Sequence, residues 1–502
     1  MSAGLEKGGG DRLAGALAAA ALILFVVAAL VDLEWTTGLM NTAFGATTRV
    51  FGFAWQLLMF LTLLVALAIA VSPWGAIRLG GTTQPEIPYP RWLAIILCTL
   101  LAGGGVFWSA AEPMYHFTTP PPLFGAVPAG SPAAVAPALA QSYLHWGFLA
   151  WGVVGTLGAI TLSVVHERGV PLTPRALLAG WLSERTLAGP LGSVIDALAI
   201  VAALAGTIGP IGFLGLQLAY AAKVLVGAPD GYLTQLFVLG LLVALATVSA
   251  VSGIDRGIQI LSRVNVWLAL VLAAVILILG PTGFIFSAFF DALGTYLVHF
   301  PAMALYDKDP EWLGFWTVFY WGWFLSYGPL MSIFVARISR GRSIREVVLG
   351  VAVVAPLLTH FWFTVLGGSG VAFELAEPGS VSAALQSDGL PAALLAIVSQ
   401  LPLSVVLLPA FVVLIFVFLA TSADSMAYTA SMIVSGKSTP PPAQRAFWSI
   451  AMGGVAAVLL LMGDGGIKAL QSAIVIAAVP VAALMATCVV SAPWVLWRRG
   501  RR

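Results

Sequence analysis

The sequence predicts an all-α polytopic membrane protein with twelve transmembrane helices, on three observations. Of 502 residues, 60% are hydrophobic and 9% charged, where a soluble domain carries about 25% charged residues. The apolar residues gather into runs that reach the ~20 residues needed to cross a bilayer. Drawn as twelve spans with both termini cytoplasmic, the chain places nineteen of its 23 Lys and Arg inside and only Arg49, Lys223, Lys308 and Lys468 outside. One helix more or fewer would flip every later loop and erase that asymmetry.

In order, the spans cover roughly 13–33, 50–72, 91–111, 138–165, 192–226, 233–252, 259–281, 311–338, 345–367, 392–434, 444–463 and 467–497, separated by Pro, Gly and charged residues. The first is read as a retained helix, because MSAGLEKGGGDRL precedes it without a signal-peptide cleavage pattern. The fifth and tenth are long enough to be tilted or broken. Residues 113–137 read as a Pro- and Ala-rich loop with no basic residue. The stretch FIFSAFFDALGTYLVHF within 282–310 reads as an amphipathic helix on the outer surface. The short tails, ending in WRRGRR, are expected to hold no soluble sensing or catalytic domain. A net charge of +2 gives no reason to expect a nucleic-acid partner. Cys98 and Cys488, both in apolar segments, make neither a disulfide framework nor a CxxC metal site.

Unwound helix is tolerated in hydrocarbon only where it lines a cavity, so breaks within spans point to a binding site. Three places are expected to be broken. The third span holds Ala102-Gly103-Gly104-Gly105, then Glu112-Pro113. The eighth holds Gly322 and Ser326-Tyr327-Gly328-Pro329. The tenth holds the polar cluster Thr421-Ser422-Ala423-Asp424-Ser425. Small residues also serve close helix packing, but the third and eighth spans are five apart, the offset that two inverted five-helix repeats would produce. The chain then divides into a tail with two peripheral helices (1–90), a first repeat (91–281), a surface helix and loop (282–310), a second repeat (311–497) and a basic tail (498–502).

Aromatic residues mark the same region. The fourth span carries His145-Trp146-Gly147-Phe148-Leu149-Ala150-Trp151, and the eighth carries Trp316, Phe319, Tyr320, Trp321, Trp323, Phe324 and Tyr327. Trp323 and Tyr327, at i and i+4, share a helix face. Aromatics concentrate at membrane interfaces, whereas these lie mid-span beside a Gly-Pro pair. They read as a cage for an alkylated cation, which ring faces attract by about 0.5–1 kcal/mol when exposed and ~2 kcal/mol or more when desolvated. A permanent cation needs no carboxylate partner, which suits a region poor in acids.

With these residues in hand, the chain resembles the betaine/carnitine/choline transporter family. The resemblance rests on FWSAAEPMYHF (107–117), LHWGFLAWG (144–152), FWTVFYWGWFLSYGPLMSIFVARISRGRSIREVV (315–348) and LATSADS (419–425), matching in content and order. It implies an inverted-repeat, neurotransmitter-symporter-like fold, import of quaternary ammonium solutes by alternating access, and a homotrimer formed through the surface helix near 285–305. It implies a multi-pass protein of the cell (inner) membrane, with the lipid bilayer as its surroundings. Carried onto this sequence, the family's cage falls on Trp146, Trp151, Trp323 and Tyr327, with Phe324 where Trp is common and Val154 where Tyr is common. Met331, one turn after Tyr327, and the glycines Gly103, Gly104 and Gly105 complete the expected substrate site, although this glycine run departs from the family's GxGxG pattern. The short tail departs from the long basic tail of osmotically regulated members.

For the coupling ion, the resemblance places sodium ligands at Thr421 and Ser422; the bland alternative is that these hydroxyls bond the i−4 carbonyl of their own helix. Arg263 is a candidate coupling residue, because an arginine in the seventh helix replaces sodium in the exchanger branch. It reads more readily as a basic anchor at a cytoplasmic helix end. Glu112, His145, Asp196 and Asp424 are intramembrane polar residues that read as caps, packing or braces more readily than as relays. Sodium-coupled import therefore leads, with sodium-independent exchange or proton coupling as the alternative and a non-transporting receptor behind them. An enzyme is not expected: none of the histidines 116, 145, 166, 299 and 360 offers HExxH spacing, and no cofactor is implied.

Overall fold

A computed structural model describes residues 10–252, 255–437, 439–462 and 466–499, without the side chains of 98–103, 250–252 and 255–262. Helices α1 (Arg12–Val31) and α2 (Leu33–Val71) meet at Asp32, whose carboxylate accepts the Trp35 backbone N–H at 2.9 Å and caps the start of α2. That cap lets α2 begin well before the expected residue 50. The third span is α3 (Tyr89–Thr118), and the fourth is three pieces, α4 (Val135–Trp146), α5 (Phe148–Gly155) and α6 (Leu157–His166). A single turn, α7 (Glu184–Leu187), leads to α8 (Pro190–Val226), α9 (Tyr232–Ser252), α10 (Asp255–Leu279) and α11 (Thr282–Ala304). The eighth span joins α12 (Pro310–Phe315) to α13 (Thr317–Ile338). The ninth comprises α14 (Ile344–Leu349), α15 (Ala355–Phe363) and α16 (Ser369–Ala376), linked by π-helical turns at Gly350–Val354 and Thr364–Gly368. Short α17 (Ser382–Asp388) and α18 (Ala393–Ser399) precede α19 (Ser404–Ser435), α20 (Pro442–Leu461) and α21 (Ile467–Arg499).

Among the described residues, eleven helical segments are long and apolar enough to cross a bilayer. Ten of them coincide with expected spans, and the eleventh is α11. The two expected spans outside that group, α3 and α10, have 30 and 25 residues, which at 1.5 Å per residue reach across the ~30 Å hydrocarbon core. The expected surface helix α11 is itself long and apolar enough to cross a bilayer. It packs Ile285, Ala288, Ala292 and Tyr296 inward, on the side of α4, while Phe286, Phe290, Leu297 and Val298 stand exposed. Its exposed side mixes these apolar side chains with Ser287, Asp291 and His299.

The three expected breaks are absent. The backbone is helical through Gly103–Gly105 and Pro113 in α3, through Ser326–Pro329 in α13 and through Thr421–Ser425 in α19. A proline removes one N–H and frees one carbonyl, a loss that neighbouring helices can satisfy without the helix unwinding. Irregular backbone lies instead at Gly147 and Thr156, at the π turns of the ninth span, and at Leu403 before α19, whose φ is 65°. Gly147 is demanded by crowding: a Cβ there would stand 2.1 Å from the Tyr143 carbonyl oxygen and 2.4 Å from His360 Nε2. The long fifth run, α8, is continuous despite Pro210, and the tenth run is broken between α18 and α19.

Helix α13 sits at the centre, packed against α5, α6, α8 and α21, and every residue from Thr317 to Ser326 is buried. Peripheral helices expose Leu24, Val31, Leu233 and Phe237, the apolar shell a bilayer-facing surface requires. Buried Asp424 on α19 pairs with buried Arg445 on α20 at 3.1 Å, so Asp424 braces two helices. Asp196 near the start of α8 holds Arg175 at 2.8 Å.

Candidate functional site

Trp146 is the last residue of α4, and the break at Gly147 turns its ring toward α13. The ring packs edge-on against Trp323 (centroids 5.6 Å apart, planes at 82°) and Phe324 (5.5 Å, 88°). Tyr320 stands edge-on to it at 5.5 Å and Phe363 lies against it at 5.2 Å. These separations are those of favourable aromatic pairs, in which a positive ring edge meets a negative ring face. The break also leaves the Trp146 carbonyl without a helical partner, and the Trp151 indole N–H takes it at 3.1 Å. Trp151 therefore fixes the position of Trp146 and enters the cluster through that bond.

Glycine gives α3 its approach. A Cβ on Gly104 would stand 2.2 Å from Trp323 Cη2 and 2.9 Å from Trp146 Cη2, so the α3 backbone is the floor on which both indoles rest. The neighbouring Gly105 carbonyl accepts the Trp362 indole N–H at 3.1 Å. Gly103 falls outside the described side chains.

The third wall comes from α8. Pro210 has no N–H to give the Gly206 carbonyl four residues earlier. Two residues of α13 take that carbonyl instead: Trp323 Nε1 donates at 2.8 Å and the Tyr327 hydroxyl at 2.9 Å. Thr207 Oγ1 lies 3.1 Å from the same hydroxyl. The shared face expected of Trp323 and Tyr327 is thus a shared acceptor. Pro210→Ala restores an N–H that competes for the carbonyl; it is expected to weaken quaternary-ammonium binding about three- to tenfold, the worth of roughly one hydrogen bond, with the helix content unchanged by circular dichroism.

Glu112 joins the cluster from α3. Its Oε2 accepts the Trp146 indole N–H at 3.0 Å, which pushes electron density into the ring that would face a cation. Met331 is buried one turn beyond Tyr327, and Val154 is buried in α5. The geometry therefore brings together Trp146, Trp323, Phe324, Tyr327 and Gly104, with Trp151 in support. Sequence reasoning passed over Phe363 and Phe213, whose ring stands 6.1 Å from Trp323, since single phenylalanines in apolar runs carry no signal. The Gly206–Pro210 pair did carry one, an i, i+4 spacing that frees a carbonyl.

The ion-site candidates lie on α19. Thr421 Oγ1 donates to the Val417 and Phe418 carbonyls at 2.9 and 3.1 Å, the back-bonding expected of a hydroxyl in a membrane helix. That uses its hydrogen and leaves oxygen lone pairs free to face a cation. Thr421 and Ser422 are both half-buried on α19, which packs against α3. Arg263 is exposed on α10.

Comparison with known proteins agrees with this architecture. The family described as betaine/carnitine/choline family transporter matches residues 15–501. Glycine betaine transporter 2 of Vibrio parahaemolyticus is 48% identical over 473 residues, covering 94% of this chain and 87% of the relative. Glycine betaine transporter OpuD of Bacillus subtilis is 33% identical over 85% of this chain and 83% of its own. The ectoine/hydroxyectoine transporter of Virgibacillus pantothenticus is 33% identical over 87% of this chain and 87% of its own. These relatives are transporters and not enzymes, and the chain belongs to the betaine/carnitine/choline transporter family.

Proposed function

We propose that the protein imports a betaine-like quaternary ammonium solute across the cell membrane by alternating access, coupled to sodium. The observation that carries the reading is the ring cluster of Trp146, Trp323 and Phe324 over Gly104, with the Tyr327 hydroxyl at its edge. Ring faces stabilise a methylated ammonium without a counter-charge, and Trp146 is further polarised by Glu112. Relatives named as glycine betaine transporters support the solute class. Sodium, a hard cation that takes oxygen ligands, would be held by the Thr421 and Ser422 hydroxyls with backbone carbonyls. In this reading both termini are cytoplasmic and the exposed phenyl face of α11 mediates a homotrimer.

Uptake of labelled glycine betaine into proteoliposomes, with and without an inward sodium gradient at fixed potential, tests the proposal. Sodium-dependent accumulation is expected, and Thr421→Ala with Ser422→Ala should raise the half-saturating sodium concentration at least about tenfold. Unchanged sodium activation in that variant would remove both hydroxyls from the ion site. Sodium-independent uptake that requires internal solute would establish exchange and return attention to Arg263.

A further inference from the structure

Three ionisable side chains meet beside the aromatic cluster, all of them fully buried: Glu112 and His116 on α3, and His145 on α4. His145 Nδ1 lies 2.6 Å from Glu112 Oε1, and His116 Nε2 lies 3.5 Å from the same oxygen. The outer nitrogen of His145 is held by Thr317 Oγ1 and Gln141 Nε2, each at 3.0 Å. Neither His116 nitrogen has a hydrogen-bond partner of ordinary geometry among the described residues. Other titratable groups around the cluster are the phenols of Tyr320 on α13, whose ring stacks on His145 at 4.7 Å, and of Tyr115 on α3, beside His116 at 5.7 Å. On the far side of α4, Tyr143 and His360 stack on each other at 4.3 Å. Among the described residues, the ionic partners of Glu112 are these two histidines and no Arg or Lys.

A buried carboxylate without a counter-charge is costly, so the cluster reaches neutrality by holding one proton, on the carboxyl or as an imidazolium. Glu112 is bonded through its other oxygen to Trp146. A cation seated on the Trp146 ring supplies the positive charge that the proton otherwise provides. We propose that Glu112, His145 and His116 form a proton-binding site linked to the aromatic cage, and that entry of a quaternary ammonium group releases one proton from it to the water on the side the site faces. The proposal rests on the substrate reading above and adds to it a proton that leaves as the solute arrives. By thermodynamic reciprocity such a link makes the apparent affinity for the solute pH-dependent, tightening as the pH rises. A metal ion held by the same atoms is disfavoured by the 2.6 Å contact, since two ligands about 2.0–2.2 Å from a tetrahedral ion stand more than ~3 Å apart.

The test is calorimetric titration of the purified full-length transporter with glycine betaine, a solute whose ammonium cannot lose a proton. Buffers of different ionisation enthalpy count the protons released, from about pH 5 to 9. Release of one proton per bound solute is expected, with Kd falling by up to about tenfold per pH unit in the titrating range. Glu112→Gln keeps an oxygen for Trp146 but loses the charge that polarises that ring; it should bind more weakly, and what binds should release no proton and show a flat pH profile, while His116→Gln should shift the midpoint or abolish release. Binding by the wild type without release, or undiminished release from both variants, overturns the proposal. A potentiometric titration of the solute-free protein, wild type against Glu112→Gln, separates the two readings. A one-proton difference without betaine binding supports the proton site and overturns the betaine reading. No difference overturns the proton site whatever binds. Stoichiometric Zn²⁺ capture by the wild type, lost in both variants, would make the cluster a metal site and also overturn it.

Discussion

Trp323→Ala is expected to weaken quaternary-ammonium binding by at least about 30-fold, the ~2 kcal/mol that one desolvated ring face gives a cation. The loss is local, because the ring contributes in three ways at one point. It faces Trp146 at 5.6 Å, it covers Gly104, and its N–H satisfies the Gly206 carbonyl at 2.8 Å. Trp323→Phe separates these roles: a π face remains while the donor is gone, and Tyr327 still reaches the carbonyl at 2.9 Å. A five- to tenfold loss is expected of that variant, about one hydrogen bond. Equilibrium binding of labelled betaine to detergent-purified protein measures both, and elution as a single symmetric species checks folding. Wild-type affinity in Trp323→Ala would remove this ring from the site.

Gly104→Val should abolish uptake. The Cβ alone would stand 2.2 Å from Trp323 Cη2 and 2.9 Å from Trp146 Cη2, and the methyls of valine extend further into both rings. Neither indole can step aside cheaply. Trp323 is tied to Gly206 and Trp146 to Glu112, at 2.8 and 3.0 Å, and forced overpacking costs about 1–3 kcal/mol. The milder Gly104→Ala should lose about tenfold in affinity in the wild-type background. Phenylalanine lacks the Cη2 atom, so the same alanine should cost less than about threefold in a Trp323→Phe background. That difference is a coupling of the size found between residues in contact. Equal losses in both backgrounds would mean that Gly104 does not support the cage through Trp323.

How much of this was legible beforehand differs residue by residue. The aromatic positions of the eighth span could be read because seven of them crowd into residues 316–327 beside Gly328-Pro329, a density that lipid contact alone does not produce mid-span. Tyr327 and Trp323 followed from i, i+4 spacing on a helix that does form. The locations of the breaks could not be read. Glycine and proline are necessary for a bend but do not say which helix gives way: α3 stays helical through three consecutive glycines, while the single Gly147 splits the fourth span because Tyr143 and His360 crowd it. Glu112 and His145 were visible as polar residues 33 positions apart, and nothing in that separation marks a 2.6 Å pair.

The all-helical membrane class, the placement of most spans and the family were legible along the chain. Those properties depend on hydrophobic run length, on the side of the membrane that basic residues occupy, and on local motifs, all of which act within a segment. The tertiary structure decided what the segments do together. Pro210 on α8 frees a carbonyl that Trp323 and Tyr327 of α13 take, Gly104 on α3 makes room for indoles from α4 and α13, and Glu112 meets His145 because α3 and α4 pack side by side. Each depends on distances between helices far apart in sequence, which follow from how whole faces pack rather than from any residue's neighbours along the chain.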